Sequence, residues 1–245
     1  MGQPAYRAGQ VLDWIYKRRV LDWDEMSNLP APLRDALKQE FPATHLEKIR
    51  ETGSKDTTRK FLFRLPDGQM IETVLIPASP ALYGEPSDRR TICISSQVGC
   101  AYGCKFCASG LDGWKRNLHA GEIVDQFLQV EAISGEKINN IVFMGMGEPL
   151  ANASAVMSAI RTINAPWGMG ISARKITIST VGLPAAIRKL CDFELPVTLA
   201  LSLHAPNDEL RRQIIPWAEY STVSELLSAC QEWFGKTGRE ITLEY

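Results

Sequence analysis

The stretch Asn140-Ile-Val-Phe-Met-Gly-Met-Gly-Glu-Pro149 decides the fold of this chain. A short apolar run passes directly into a glycine-bracketed carboxylate and a proline. Apolar runs of this length suit strands of a parallel sheet covered by helices. Working outward, the same unit recurs. Thr91 to Ser95, Lys175-Ile-Thr-Ile-Ser179, Val197-Thr-Leu-Ala-Leu-Ser202 and Arg239 to Tyr245 read as further strands. Ala120 to Ala132, Ala155 to Ile163, Pro184 to Leu190 and Asp208 to Phe234 read as the helices that alternate with them. Strict alternation predicts an α/β fold with a parallel sheet, curved into a full or partial barrel or left open and doubly wound. In either arrangement the functional loops lie at the carboxyl ends of the strands.

The unusual segments fall at those ends. After the first strand comes Cys100-Ala-Tyr-Gly-Cys104-Lys-Phe-Cys107. Three thiolates with no fourth ligand nearby leave one iron of a four-iron cluster open, whereas structural zinc asks for a closed set of four. Cys93, Cys191 and Cys230 are scattered, so a disulfide framework is a poor explanation and a reducing cytoplasm fits better. Gly145-Met-Gly-Glu-Pro149 follows the second strand; its carboxylate and carbonyls suit an ammonium group, although a tight turn needing glycine has the same pattern. Ser179-Thr-Val-Gly182 follows the third strand. Ser202-Leu-His204 follows the fourth and leads to a helix cap at Asn207 or Asp208. His45 and His119 have no local partners and read as structural. Most of the basic pairs, a set that includes Arg211-Arg212, read as solvated helix faces, and Lys115-Arg116 as the pair best placed for phosphate contact.

Toward the amino terminus the pattern differs. Tyr6 to Tyr16 sets Val11, Leu12 and Ile15 at helical spacing, and a second helix runs from Pro30 through Phe41. Phe61 to Leu65 and Met70 to Ile76, joined through Asp67-Gly68, form a hairpin pattern. Leu82 to Asp88 reads as a linker. The 245 residues carry a net charge of −1, which is not the signature of a general nucleic-acid binder, so RNA contact would come from local patches. No apolar run approaches the ~18 residues of a membrane span.

With Phe106 before the last cysteine, Cys100-x3-Cys104-x-Phe-Cys107 resembles the radical S-adenosylmethionine (SAM) signature. Ser95-Ser-Gln-Val-Gly-Cys100, Gly145-Met-Gly-Glu-Pro149 and Ser202-Leu-His-Ala-Pro-Asn207 resemble the RlmN and Cfr group of RNA adenine methyltransferases, and the likeness runs almost the whole length. It implies an α/β fold, a partial (β/α) radical SAM barrel with a small N-terminal helical region and a β-hairpin. The expected divisions are an N-terminal helical domain over residues 1–50, hairpin and linker over 51–90, and the radical SAM core over 91–245. The resemblance implies a [4Fe-4S] cluster on Cys100, Cys104 and Cys107, with SAM held by Gly147, Glu148, Ser179, Ser202, Leu203 and His204.

Reduction of the cluster would cleave SAM to a 5′-deoxyadenosyl radical, needed because adenine C2 and C8 are poor nucleophiles. Glu72 matches the family's proton acceptor, and Cys93 a cysteine thought to help release the RNA adduct. The implied activity is methylation of adenine C2 in 23S rRNA and tRNA. The alternatives are C8 methylation of 23S rRNA or a non-catalytic iron–sulfur, SAM-binding RNA-binding fragment. The implied partners are those RNAs and an external electron donor such as flavodoxin, for a cytoplasmic monomer. Family members continue past the fifth strand to an Asn that contacts the cofactor and a methyl-carrying cysteine. Neither is matched here, so the chain reads as a C-terminally truncated member that holds cluster and cofactor and lacks the methyl-accepting thiol.

Overall fold

A computed structural model describes residues 2–41, 46–54, 58–78, 84 and 87–245. Helices α1 (Tyr6–Tyr16) and α2 (Ala31–Glu40) pack through Trp14, Met26, Leu29, Leu33 and Leu37 into a small core of their own. Strands β1 (Glu47–Gly53), β2 (Arg59–Arg64) and β3 (Met70–Pro77) follow as an antiparallel meander, with Gly68 in the left-handed region at the Asp-Gly turn, φ +83°. Strand β1 lies outside the expected hairpin and crosses the expected division at residue 50. His45 and most of the linker expected over 82–88 lie outside the described residues.

The meander joins the parallel sheet. Strand β3 pairs antiparallel with β4 (Arg90–Cys93), and β7 (Asn140–Phe143), β8 (Ile176–Thr180), β9 (Thr198–Ser202) and β10 (Ile241–Glu244) then add in parallel. The eight-stranded order is linear, β1-β2-β3-β4-β7-β8-β9-β10. A separate ribbon, β5 (Gln97–Gly99) with β6 (Trp114–Asn117), brackets the cysteine loop. The connecting helices are α3 (Ala120–Ser134), α4 (Ala153–Asn164), α5 (Pro184–Leu190), α6 (Asp208–Ile214) and α7 (Val223–Thr237).

Register explains the strand composition. Ile92, Ile141, Phe143, Ile176, Ile178 and Leu199 share a buried core with Ile123 and Phe127 of α3, Val156 and Ile160 of α4, and Trp233 of α7. Each such side chain contributes ~1.5–3 kcal/mol by burial. Neighbouring residues on paired strands share a face, so Glu72, Val74, Cys93, Val142, Thr177, Ser179, Thr198, Ser202 and Glu244 line the opposite face. The strands therefore alternate rather than being apolar throughout, because helices cover only one side.

Candidate active site

The cysteine loop is folded by close backbone approach. Gly99 sits at φ +71°, and a Cβ there would stand 1.9 Å from the Gly113 carbonyl oxygen. Cys100 N–H donates to that same carbonyl at 3.3 Å, Cys107 N–H donates to Cys104 O at 3.0 Å, and Lys105 N–H donates to Ile214 O at 2.9 Å. All three thiols are free and half-buried. Burial pushes Cys104 up to about 11, with the Cys100 and Cys107 thiolates adding to the rise. Burial likewise raises Cys100, followed by Cys107 and Glu148. Once deprotonated, three soft sulfur donors suit iron or another soft metal. Among the described residues no group of three or more His, Cys, Asp or Glu side chains is placed to hold a single metal ion. A cubane asks for less convergence, since each thiolate binds a different iron, so the donor set fits a cluster.

The loop after β7 is laced to the segment that leads into the cysteines. Ser96 and Gln97 N–H both donate to Met146 O, and Glu148 N–H donates to Gln97 Oε1 at 2.9 Å. At Gly147, φ +95°, a Cβ would lie 2.4 Å from Gln97 Cβ. The Glu148 carboxylate does not stand open at the rim as its sequence setting suggested. It is buried, accepting from Leu150 N–H at 2.9 Å and Val181 N–H at 2.7 Å, which clamps two strand-end loops together. Burial pushes its pKa up to about 7 against those hydrogen bonds.

Glu244, missed in the sequence, completes a polar cluster beyond this clamp. Ser202 Oγ donates to its carboxylate at 2.6 Å, and Ser179 Oγ stands 3.2 Å from it. Leu203 and His204 N–H both donate to Glu244 O, and the His204 ring meets Phe106 edge-on at 4.7 Å between centroids. The sequence carried no sign of this, because Glu244 meets Ser202 only through the parallel pairing of β10 with β9. Asn207 caps α6 as expected, accepting from Leu210 N–H at 2.9 Å.

Glu72 and Cys93 reach the same sheet face from the antiparallel side. Glu72 is half-exposed and ion-paired with Lys60 at 2.8 Å. Ser95 ties its strand to the glycine loop: Ser95 Oγ donates to Glu72 O at 2.6 Å and accepts from Met146 N–H at 2.9 Å. Burial pushes the Cys93 thiol up to about 11, opposed by a hydrogen bond from the Met144 backbone. Arg116 is not free for phosphate, because Glu122 holds it through two bonds at 2.8 Å and Asp67 through one at 2.6 Å. Arg211 is not a solvated helix residue but is wholly buried.

Comparison with known proteins agrees with this layout. Residues 94–241 match the Radical SAM superfamily, and residues 1–42 match the Ribosomal RNA large subunit methyltransferase N-terminal domain. A probable dual-specificity RNA methyltransferase RlmN from Akkermansia muciniphila is 48% identical over 244 residues, covering all of this chain and 68% of the relative. The chain belongs to the RlmN family of radical SAM methyltransferases. Another such relative, from Opitutus terrae, is also 48% identical with the same coverage. The crystal structure of a radical SAM methyltransferase from Sphaerobacter thermophilus superposes with a TM-score of 0.91 at 44% identity, covering all of this chain and 70% of that one. The open sheet is thus the partial barrel of RlmN-family proteins. Among the described residues, no helix is long and apolar enough to cross a membrane.

Proposed function

We propose that this chain binds SAM and a [4Fe-4S] cluster and generates the radical for methylation of C2 of adenine in 23S rRNA and tRNA, the methyl-carrying thiol being unmatched among its residues. The observation that carries the reading is the common face of the sheet. Glu72 and Cys93 share it with Ser179 and Ser202, at strands whose ends adjoin the cysteine loop. Cys100, Cys104 and Cys107 would hold the cluster, and Gly147, Glu148, Ser179, Ser202, Leu203 and His204 would form the SAM pocket. Bound together, the two groups supply a carbon radical able to abstract hydrogen, which adenine C2 requires because it is electron-poor.

The chain's own residues do the orienting. Gly147 gives the backbone close approach, while buried Glu148 fixes the separation of the second and third strand-end loops. Phe106 and His204 meet edge to face where the cysteine loop reaches the fourth strand-end loop, and so fix the position of His204. Glu72, ion-paired with Lys60 until substrate arrives, accepts the proton lost from the adenine ring. Cys93, on the same face, is the candidate for releasing the RNA adduct, and its raised pKa means that it must lose its proton before its sulfur can act as a nucleophile.

Two measurements test the proposal. After anaerobic loading with iron and sulfide, added SAM should change the electron paramagnetic resonance (EPR) signal of the reduced cluster; an unchanged signal would sink the SAM reading. Nucleoside analysis of 23S rRNA and tRNA from cells with and without the gene should show loss of 2-methyladenosine on deletion, whereas loss of the 8-methyl isomer would replace C2 by C8.

A further inference from the structure

Helix α6 carries a buried charge that no acidic side chain among the described residues hydrogen-bonds; Asp208 of the same helix acts on it without a hydrogen bond. Arg211 is wholly buried, and all of its described hydrogen-bond partners are carbonyls. Nε–H donates to Leu203 O at 3.1 Å, and Nη2 donates to Val181 O and, at 3.3 Å, to Ser202 O. Nη1 is buried with no partner. Burying a cation without a counter-charge costs several kcal/mol, and carbonyl dipoles offset only part of that. A second, closer anion would complete its surroundings.

The cysteine loop is the surface packed here. Lys105 N–H donates to the carbonyl of Ile214 at the end of the same helix, and Ile215 N–H donates to Arg211 O at 2.8 Å. Cys104 packs against the small cluster of Val181, Ile215 and Ala218, which includes the residue whose carbonyl the guanidinium holds. Tyr102 and Trp217, 4.8 Å apart between ring centroids, extend the same cluster and thin the water around it. Burial pushes the guanidinium below its ordinary range, opposed by Cys104 when its sulfur is deprotonated and then by Asp208.

We propose that Arg211 is a positioning residue that sets the potential of the cluster: its buried charge faces the Cys104 side of the site and makes the cluster easier to reduce. The inference rests on the cluster reading above. Each electron delivered by an external one-electron donor adds one negative charge to an already anionic group. A fixed cation in a poorly hydrated setting favours the more negative state. Arginine keeps that charge at every working pH.

The test is a redox titration of the iron–sulfur-loaded chain without SAM, read by EPR. In Arg211→Gln the ratio of reduced to oxidised cluster at fixed potential should fall at least tenfold, equivalent to about 59 mV for one electron. Arg211→Lys, which keeps the charge, should stay within about threefold of the wild type by the same relation. A loaded Arg211→Gln protein that titrates like the wild type overturns the assignment alone. A wild-type chain that takes up no iron and sulfide overturns the cluster reading and the assignment with it. If the neutral variant does not fold, pulsed EPR of the reduced wild type labelled with 15N-arginine decides. A weakly coupled 15N that disappears in Arg211→Lys is expected, and a spectrum without it overturns the proposal.

Discussion

The two ends of the sheet use their charges in opposite ways. At the antiparallel end, Lys48 with Glu51, Arg59 with Glu51, Arg64 with Glu47 and Lys60 with Glu72 pair side chain to side chain on partly exposed strands. At the parallel end the buried charges bind backbone. Glu148 accepts the N–H of Val181 and Arg211 donates to its carbonyl, so an acidic and a basic side chain hold one residue from two sides. Exposed pairs are worth roughly 0–1 kcal/mol, and a carboxylate such as Glu72 remains free to change partners when substrate arrives. A buried charge that loses its partners costs several times more, so the parallel end suits a site whose geometry must not drift.

The largest expected effect lies at the rigid end. Cys104→Ser should abolish cluster loading, read as loss of the visible iron–sulfur absorption while the far-ultraviolet circular dichroism is retained. Next comes Gly99→Ala, which forces a Cβ into the Gly113 carbonyl from a left-handed backbone. It should cost at least ~3 kcal/mol in urea denaturation; a loss below 1 kcal/mol would show that the loop can yield.

Glu148→Gln ranks third. The amide cannot accept both backbone N–H groups, so about 1–3 kcal/mol should be lost. The pH dependence gives the sign. In the fold the carboxyl holds its proton up to about 7, whereas the unfolded chain releases it near 4.5. Metal-free wild type should therefore lose stability as pH rises through that window and level off above it. Glu148→Gln should remove this decline, and urea midpoints at both edges of the window check it.

The smallest effect on stability belongs to the antiparallel end. A double-mutant cycle on Lys60 and Glu72 should give roughly 0.2–1 kcal/mol of coupling. Glu72→Gln should nevertheless reduce RNA methylation in cells at least ~100-fold if the residue is the proton acceptor. Should the cycle exceed 2 kcal/mol, the contrast between the two ends fails.

Much of this was legible because local rules govern it. The Asp67-Gly68 turn, the Asn207 cap and the short apolar strands each depend on neighbours in sequence. Strand β1 was not, since Glu47 to Gly53 offers only Ile49 as an apolar residue and becomes a strand by pairing with β2. Arg116 and Arg211 look alike as members of basic pairs. Yet Arg116 is bonded by two carboxylates from separate segments, and Arg211 is buried under three carbonyls.

The sequence by itself determined the alternation of strand and helix and the three-thiol spacing with its glycines, because hydrophobic period and backbone permissiveness are properties of short segments. Only the tertiary structure decided which charges are buried and what they hold. The glycine-loop carboxylate became a clamp, and an arginine from a basic pair became the cation beside the cysteine loop. Burial and partnership depend on elements far apart in the chain, and desolvation gives the same side chain a different role once the sheet has closed over it.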